Sequence, residues 1–171
     1  SMIEDDRRCG YRPCVGMVLV YSKRVLLVRD PPRRSEWDVP QGGIEDGQTE
    51  VEAAIQEVTQ ELGQEWVACL GRIMYIGRGQ REFPFVRDGH WYCGKTYYYH
   101  ALVLAHLPPT FSVGDNVRAQ SGHVLPPARE FRELVFTTNA EARSLIHRRA
   151  DNKAAMLARM FDSLRADNLI C

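Results

Sequence analysis

The sequence predicts an α/β fold, a mixed β-sheet with helices on its faces. Three observations carry that prediction. Residues 15–20 and 25–28 are short β-rich runs, and Tyr21-Ser22-Lys23-Arg24 joins them as a hairpin loop. A helix with its own start and stop signals follows from Thr49 to Leu62. Strand candidates then recur at 67–76, 96–105 and 132–136, ahead of two closing helices.

The first helix is the best defined. Thr49 followed by Glu52 is a capping box, in which each side chain satisfies the other's backbone amide. Gly63 is the expected left-handed stop. Between them Val51, Ala54, Ile55, Val58 and Leu62 recur at helical spacing as one apolar stripe. Glu50, Glu57 and Glu61 fall in a narrow band beside that stripe, and Gln60 projects further round, away from the core. A row of carboxylates is usually a solvated helix face. That explanation leaves the preceding run, Trp37-Asp38-Val39-Pro40-Gln41-Gly42-Gly43, unaccounted for. It reads as a turn whose glycines let phosphate or metal approach the backbone. Taken alone, those glycines serve a simple tight turn equally well. Hard cations such as Mg²⁺ take oxygen ligands, often one or two carboxylates plus substrate phosphates. Acids at i and i+4 meet that need.

Elsewhere the signals are plainer. Tyr97, Tyr98 and Tyr99 favour a pleated surface and are expected as core and surface residues of a strand. Residues 77–95, rich in Gly, Arg and aromatics, read as a loop or loose hairpin. Residues 108–129, with Pro108-Pro109, Gly114, Gly122 and Pro126-Pro127, read as an irregular, flexible loop. Asn139 can cap a helix to about residue 148. Asp151 can cap another, with Leu157, Met160, Phe161 and Leu164 as its buried stripe.

With 171 residues the chain suits a single domain spanning 1–171. Ser1-Met2 reads as an addition ahead of the native start, which leaves room for a removed transit peptide. A formal net charge of +0 argues against a protein that coats nucleic acid, but not against one that reads a 5′ end. The five cysteines are scattered, with no C-x2-C pair, so neither a zinc site nor a disulfide framework is expected. Reduced thiols fit the cytoplasm, or an organelle matrix such as the mitochondrion. No stretch is long and apolar enough to span a membrane.

The glycine turn and glutamate helix together resemble the Nudix box, G-x5-E-x7-R-E-U-x-E-E-x-G-U with U aliphatic. Gly42, Glu57, Val58, Glu61 and Gly63 fall in register. Gln48, Gln56, Gln60 and Gln64 replace the first Glu, the Arg, one metal-binding Glu and the last aliphatic residue. Further segments resemble the branch of RNA 5′-pyrophosphohydrolases and diadenosine polyphosphate hydrolases. They are the opening Gly10-Tyr11-Arg12-Pro13-Cys14-Val15-Gly16, the Trp37 to Gly43 run, Gly94-Lys95-Thr96-Tyr97, Glu130-Phe131 with Val135-Phe136, and Lys153. Asn152 stands where that branch carries a Phe beside the Lys, so a base-stacking platform is lost if that Phe stacks on a base.

The resemblance implies a Nudix-type α/β/α sandwich with a mixed sheet. It implies that Glu57, Glu61 and Glu130, with Gly42, hold Mg²⁺ or Mn²⁺, and that the chemistry is substitution at phosphorus by an activated water. It implies that Arg12, Gln41, Gly42, Gly43, Lys95 and Lys153 contact substrate, Arg12 through its planar fork. Taken singly, Arg12, Lys95 and Lys153 are each more simply surface cations, and no histidine is assigned to the chemistry. Gln60 brings no charge to a metal and cannot act as a base. Three functions therefore stay open: an enzyme trimming 5′-triphosphorylated RNA, a hydrolase of diadenosine polyphosphates or other small nucleotides, and a weakened domain that docks RNA ends or a protein partner in an RNA-processing complex.

Overall fold

The computed structural model describes residues 1–30, 34–109, 111, 118–120, 132–147 and 152–171, without the side chains of 34, 35, 118–120 and 132. In chain order the elements are α1 (Met2–Arg8), β1 (Tyr11–Tyr21), β2 (Arg24–Asp30), β3 (Arg34–Asp38), β4 (Gln41–Gly43), α2 (Glu50–Glu61), α3 (Gln64–Val67), β5 (Leu70–Arg87), β6 (His90–Leu104), β7 (Arg118–Gln120), β8 (Arg132–Thr137), α4 (Asn139–Ile146) and α5 (Lys153–Ala166).

The strands form one mixed sheet ordered β5-β6-β1-β2-β8-β7, with β3 on β2 and β4 on β1. The β1–β6 pairing is parallel and the others are antiparallel. Ser22 and Lys23, both at positive φ, close the β1–β2 hairpin at the expected place.

Alternation along the central strands makes two cores. Val15, Met17 and Leu19 of β1 face one side with Leu26, packing with Ala53, Ala54, Val58 and Leu62 of α2 and with Trp66. Cys14, Val18 and Val20 face the other side with Leu27, under Ala142 and Ile146 of α4 and Met156, Leu157, Met160, Phe161 and Leu164 of α5. This is the expected α/β/α sandwich.

Both signals of the capping box are present on α2: Thr49 Oγ1 accepts from the Glu52 amide at 3.1 Å, and Glu52 Oε1 accepts from the Thr49 amide at 3.0 Å. Gly63 stops the helix at φ 118°. The apolar stripe needs one correction. Val51 is 43% exposed, and Ala53 is buried, so the packed face begins at Ala53-Ala54, away from the exposed first turn of the helix.

Other expectations shift as well. Val67 ends the short α3, so the strand expected from 67 begins at Leu70. Of the two readings of residues 77–95, the hairpin holds and the loop does not: β5 and β6 run through them as a long paired ribbon that turns at Asp88-Gly89, both at positive φ. Residues 118–120, expected to be irregular, form β7 against β8. Thr138 rather than Asn139 caps α4, through a second capping box with Glu141. Asp151, expected to cap α5, lies outside the described residues.

The helix α1 carries only a weak local signal, the N-cap Ser1, whose Oγ accepts from the Glu4 amide at 3.3 Å. Seven residues of largely polar character do not hold a helix alone. Its buried Asp6 accepts from Arg78 at 3.0 Å and from the Tyr98 hydroxyl, and its Arg7 donates to the Ile44 carbonyl at 2.7 Å. Tertiary bonds thus tie the chain's opening to β5, to β6 and to the residue that follows β4.

Candidate active site

The strand β4 lies at the centre of the expected site. It is three residues long, with Gly42 opposite Val15 and Gly43 opposite Cys14 of β1. Neither glycine has positive φ, so the expected tight turn is instead a short strand, and these glycines are needed for space. A Cβ on Gly42 would lie 2.0 Å from Glu57 Cδ. A Cβ on Gly43 would lie 2.0 Å from Arg12 Nη2. Successive residues of an extended strand face opposite sides. One carboxylate and one guanidinium therefore rest on the two sides of a backbone stripped of side chains.

Helical spacing supplies Glu61 one turn beyond Glu57. Both glutamates are half-buried rather than fully solvated, and Glu61 turns its Oε2 out of solvent. Gln60 between them is also half-buried. Glu130, the third expected carboxylate, lies outside the described residues. Among the described residues no three His, Cys, Asp or Glu side chains cluster as a metal site.

Arg12 and Lys95 are register partners across β1 and β6. The Arg12 guanidinium also stands 4.0 Å from Glu45 Oε1. Lys95, expected as a solvated lysine, is half-buried over Phe83 and Phe85. Cys14 reports the convergence of these charges. Burial pushes its thiol up, Lys95, Arg12 and Lys153 pull it down, and Glu57 pushes it up again.

Lys153 departs most from expectation. It is buried to 1% exposure at the start of α5, where a solvated lysine was expected. Its Nζ donates to Asp38 Oδ2 at 2.8 Å and to Gln41 Oε1, and lies 4.5 Å from the Tyr97 ring centroid. Lys153 thus holds the Gln41 amide, and with it the start of β4, from beneath. Asp38, its charge partner, was not singled out in the sequence. Its position directly ahead of the Val39-Pro40-Gln41 run was the available signal.

Tyr97, Tyr98 and Tyr99 are all buried, so none offers a base-stacking surface. His100 is buried as well, 3.3 Å from Glu50 Oε1. The five cysteines are free thiols, with Cys14 and Cys69 buried.

The sequence matches the NUDIX domain over residues 10–159. The chain belongs to the Nudix family. Among curated relatives, this Nudix chain is 46% identical over 56 residues to a protein named RNA pyrophosphohydrolase from Novosphingobium aromaticivorans, covering 31% of this chain and 35% of that one. It is 37% identical over 54 residues to an RNA pyrophosphohydrolase of Ruthia magnifica, covering 32% of this chain and 30% of that one. The chain thus spans about a third of the length of these relatives. Among solved structures, the Nudix fold here is similar to the E. coli dihydroneopterin triphosphate pyrophosphohydrolase, with a TM-score of 0.56 at 18% identity, over 86% of this chain and 95% of that one.

Proposed function

We propose that this Nudix domain is a divalent-cation-dependent pyrophosphohydrolase acting on the 5′-triphosphorylated end of RNA. The observation that carries the proposal is the pair of close approaches at β4, Glu57 on Gly42 and Arg12 on Gly43. A cation-binding carboxylate and a phosphate-binding guanidinium then meet at one backbone that presents no side chain. The names of the curated relatives support RNA over other pyrophosphate substrates.

The donors fit a hard cation. Glu57, Glu61 and the Gly42 carbonyl are oxygen ligands, and Mg²⁺ or Mn²⁺ needs only one or two carboxylates when phosphates complete its shell. When bound, the ion neutralises charge spreading onto the phosphate oxygens and lowers the pKa of a coordinated water. The chain's own residues do the rest. Arg12 grips a phosphate bidentately and Lys95 adds a point charge beside it. Lys153 and Asp38 keep β4 in place, which is positioning rather than catalysis. The oxygen of water ends on one phosphorus, the bridging oxygen leaves on the other, and phosphate or pyrophosphate is released. No covalent enzyme intermediate is required.

Gln60 in place of an acid favours a second reading, a domain that binds the RNA end without cutting it. Incubation with 5′-triphosphorylated RNA in Mg²⁺ and in Mn²⁺, with products identified, separates the two. Arg12→Ala should weaken binding of triphosphorylated RNA more than of 5′-hydroxyl RNA. An equal loss that high salt erases would reduce Arg12 to a general surface cation. Hydrolysis of diadenosine tetraphosphate with no action on triphosphorylated RNA would overturn the choice of substrate.

A further inference from the structure

The far half of the β5–β6 hairpin carries a face that the hydrolytic site, Lys95 apart, does not use. Helix α5 covers β5 as far as Gly79, where an added Cβ would lie 2.3 Å from Met156 Sδ. Beyond that point Phe83 stacks on Phe85 with centroids 5.2 Å apart, Phe85 stacks on Tyr92 at 5.1 Å, and His90 lies 4.5 Å from Tyr92. Arg81 lies over Phe83 at 4.3 Å, and the Lys95 ammonium lies 5.4 Å from the Phe85 centroid. Phe83, Phe85 and Tyr92 are half-buried and His90 is exposed, so part of each ring remains open to a ligand. Val86 and Trp91 pair on the opposite face, since neighbouring residues of a strand alternate.

We propose that this aromatic and cationic face is the track for the single-stranded body of an RNA whose 5′ phosphates lie at Arg12 and β4. The proposal rests on the hydrolytic reading for its direction. Its chemistry is separate: π-faces that accept any base and cations that follow the phosphates, the two requirements for binding single strands. Continuity supports it, because Lys95 is the register partner of Arg12 and also sits over the first rings of the row. Charge supports it too. The acids of the hairpin are turned to other contacts, Glu82 to the Tyr11 hydroxyl at 3.2 Å and Asp88 to Arg87 at 3.9 Å. From Lys95 to His90 the strand runs roughly 17 Å at about 3.4 Å per residue, enough for a few nucleotides.

The test is fluorescence anisotropy with a single-stranded RNA dodecamer carrying a 5′-hydroxyl. It is paired with kcat/KM on a 5′-triphosphorylated dinucleotide and on the triphosphorylated dodecamer. Phe85→Leu with Tyr92→Leu keeps apolar bulk while removing the π-faces. Stacking contributes enough per base that the double variant should lose about tenfold or more in dodecamer affinity. Its kcat/KM on the dinucleotide should fall less than its dodecamer affinity, since there only the seat of Lys95 on Phe85 is lost, and Trp91→Ala on the other face should bind the dodecamer as the wild type does. Unaltered dodecamer affinity in the double variant overturns the proposal, and that is also what a protein-docking ribbon would give. If the wild type cuts no triphosphorylated RNA while the double variant still loses the dodecamer, the hydrolytic reading falls and the track stands. If both RNA lengths are cut with equal kcat/KM and the variant binds normally, the track falls and the hydrolytic reading stands.

Discussion

Gln48 donates from Nε2 to Gln56 Oε1, tying the loop ahead of α2 to the middle of that helix. The same Gln48 accepts from the Glu45 amide at 3.0 Å through its Oε1. These are two of the positions where the chain departs from the Nudix box. An acid and an arginine would make an ion pair here, and two amides make a neutral hydrogen bond instead. The loop keeps its tie to the helix without charge. Gln56→Ala should cost about 0.5–1.5 kcal/mol, the usual net value of one hydrogen bond. Restoring the charged pair with Gln48→Glu and Gln56→Arg should change stability by less than about 1 kcal/mol, because the site is exposed. Urea unfolding of the single and double variants checks both numbers, and a loss of several kcal/mol in the charged double variant would contradict the equivalence.

Gly42→Ala should damage hydrolysis more than folding. The new methyl would meet Glu57 Cδ at 2.0 Å, so the carboxylate must move off β4. The expected result is a large fall in metal-dependent turnover with an unfolding midpoint close to wild type. Glu57→Gln and Glu61→Gln should likewise abolish turnover while the circular dichroism spectrum holds. Full activity in both glutamine variants would place the metal elsewhere.

The Lys153–Asp38 pair should matter for stability. Both partners are buried, at 1% and 4% exposure. Lys153→Met strands the Asp38 carboxylate out of water, and removing one partner of a buried pair costs about 3–5 kcal/mol. Adding Asp38→Asn should recover part of that loss. A single-variant loss below about 1 kcal/mol in urea, smaller than this class of pair entails, would show that water reaches the pair.

Alkali should destabilise the fold. Burial pushes the phenols of Tyr97 and Tyr98 up, with the Asp6 carboxylate adding to the rise at Tyr98. The unfolded chain therefore ionises these groups first, near the ordinary phenol value of about 10. The stability they contribute is fully present below that pH and is lost as pH climbs above it. Urea midpoints should begin to fall above about pH 8.5, where the unfolded chain ionises its thiols before the raised Cys14 does, and fall further beyond about 10, less steeply there in Tyr98→Phe. A midpoint that holds level through the alkaline range would contradict this account.

The parts of this fold that rest on local periodicity could be read without the structure. The α2 capping box, the stop at Gly63, the β1–β2 hairpin and the apolar stripe of α5 needed no knowledge of their neighbours, because caps and stripes are read from spacings of a few residues. The spacing of Glu57 and Glu61 was legible for the same reason. Tertiary structure alone decided what depends on residues far apart. Lys153 reads as a solvated lysine until Asp38, 115 positions away, supplies the countercharge that lets it be buried. Helix α1 has a local cap in Ser1, yet it is anchored by Arg78 and Tyr98 reaching its Asp6. The stretch 77–95 was open between a loop and a loose hairpin because glycine, arginine and proline mask its alternation, and cross-strand pairing decides for the hairpin. Gly42 and Gly43 have the composition of a turn, yet the need at both is room for a carboxylate on one side and a guanidinium on the other, and only the packed neighbours can set that requirement.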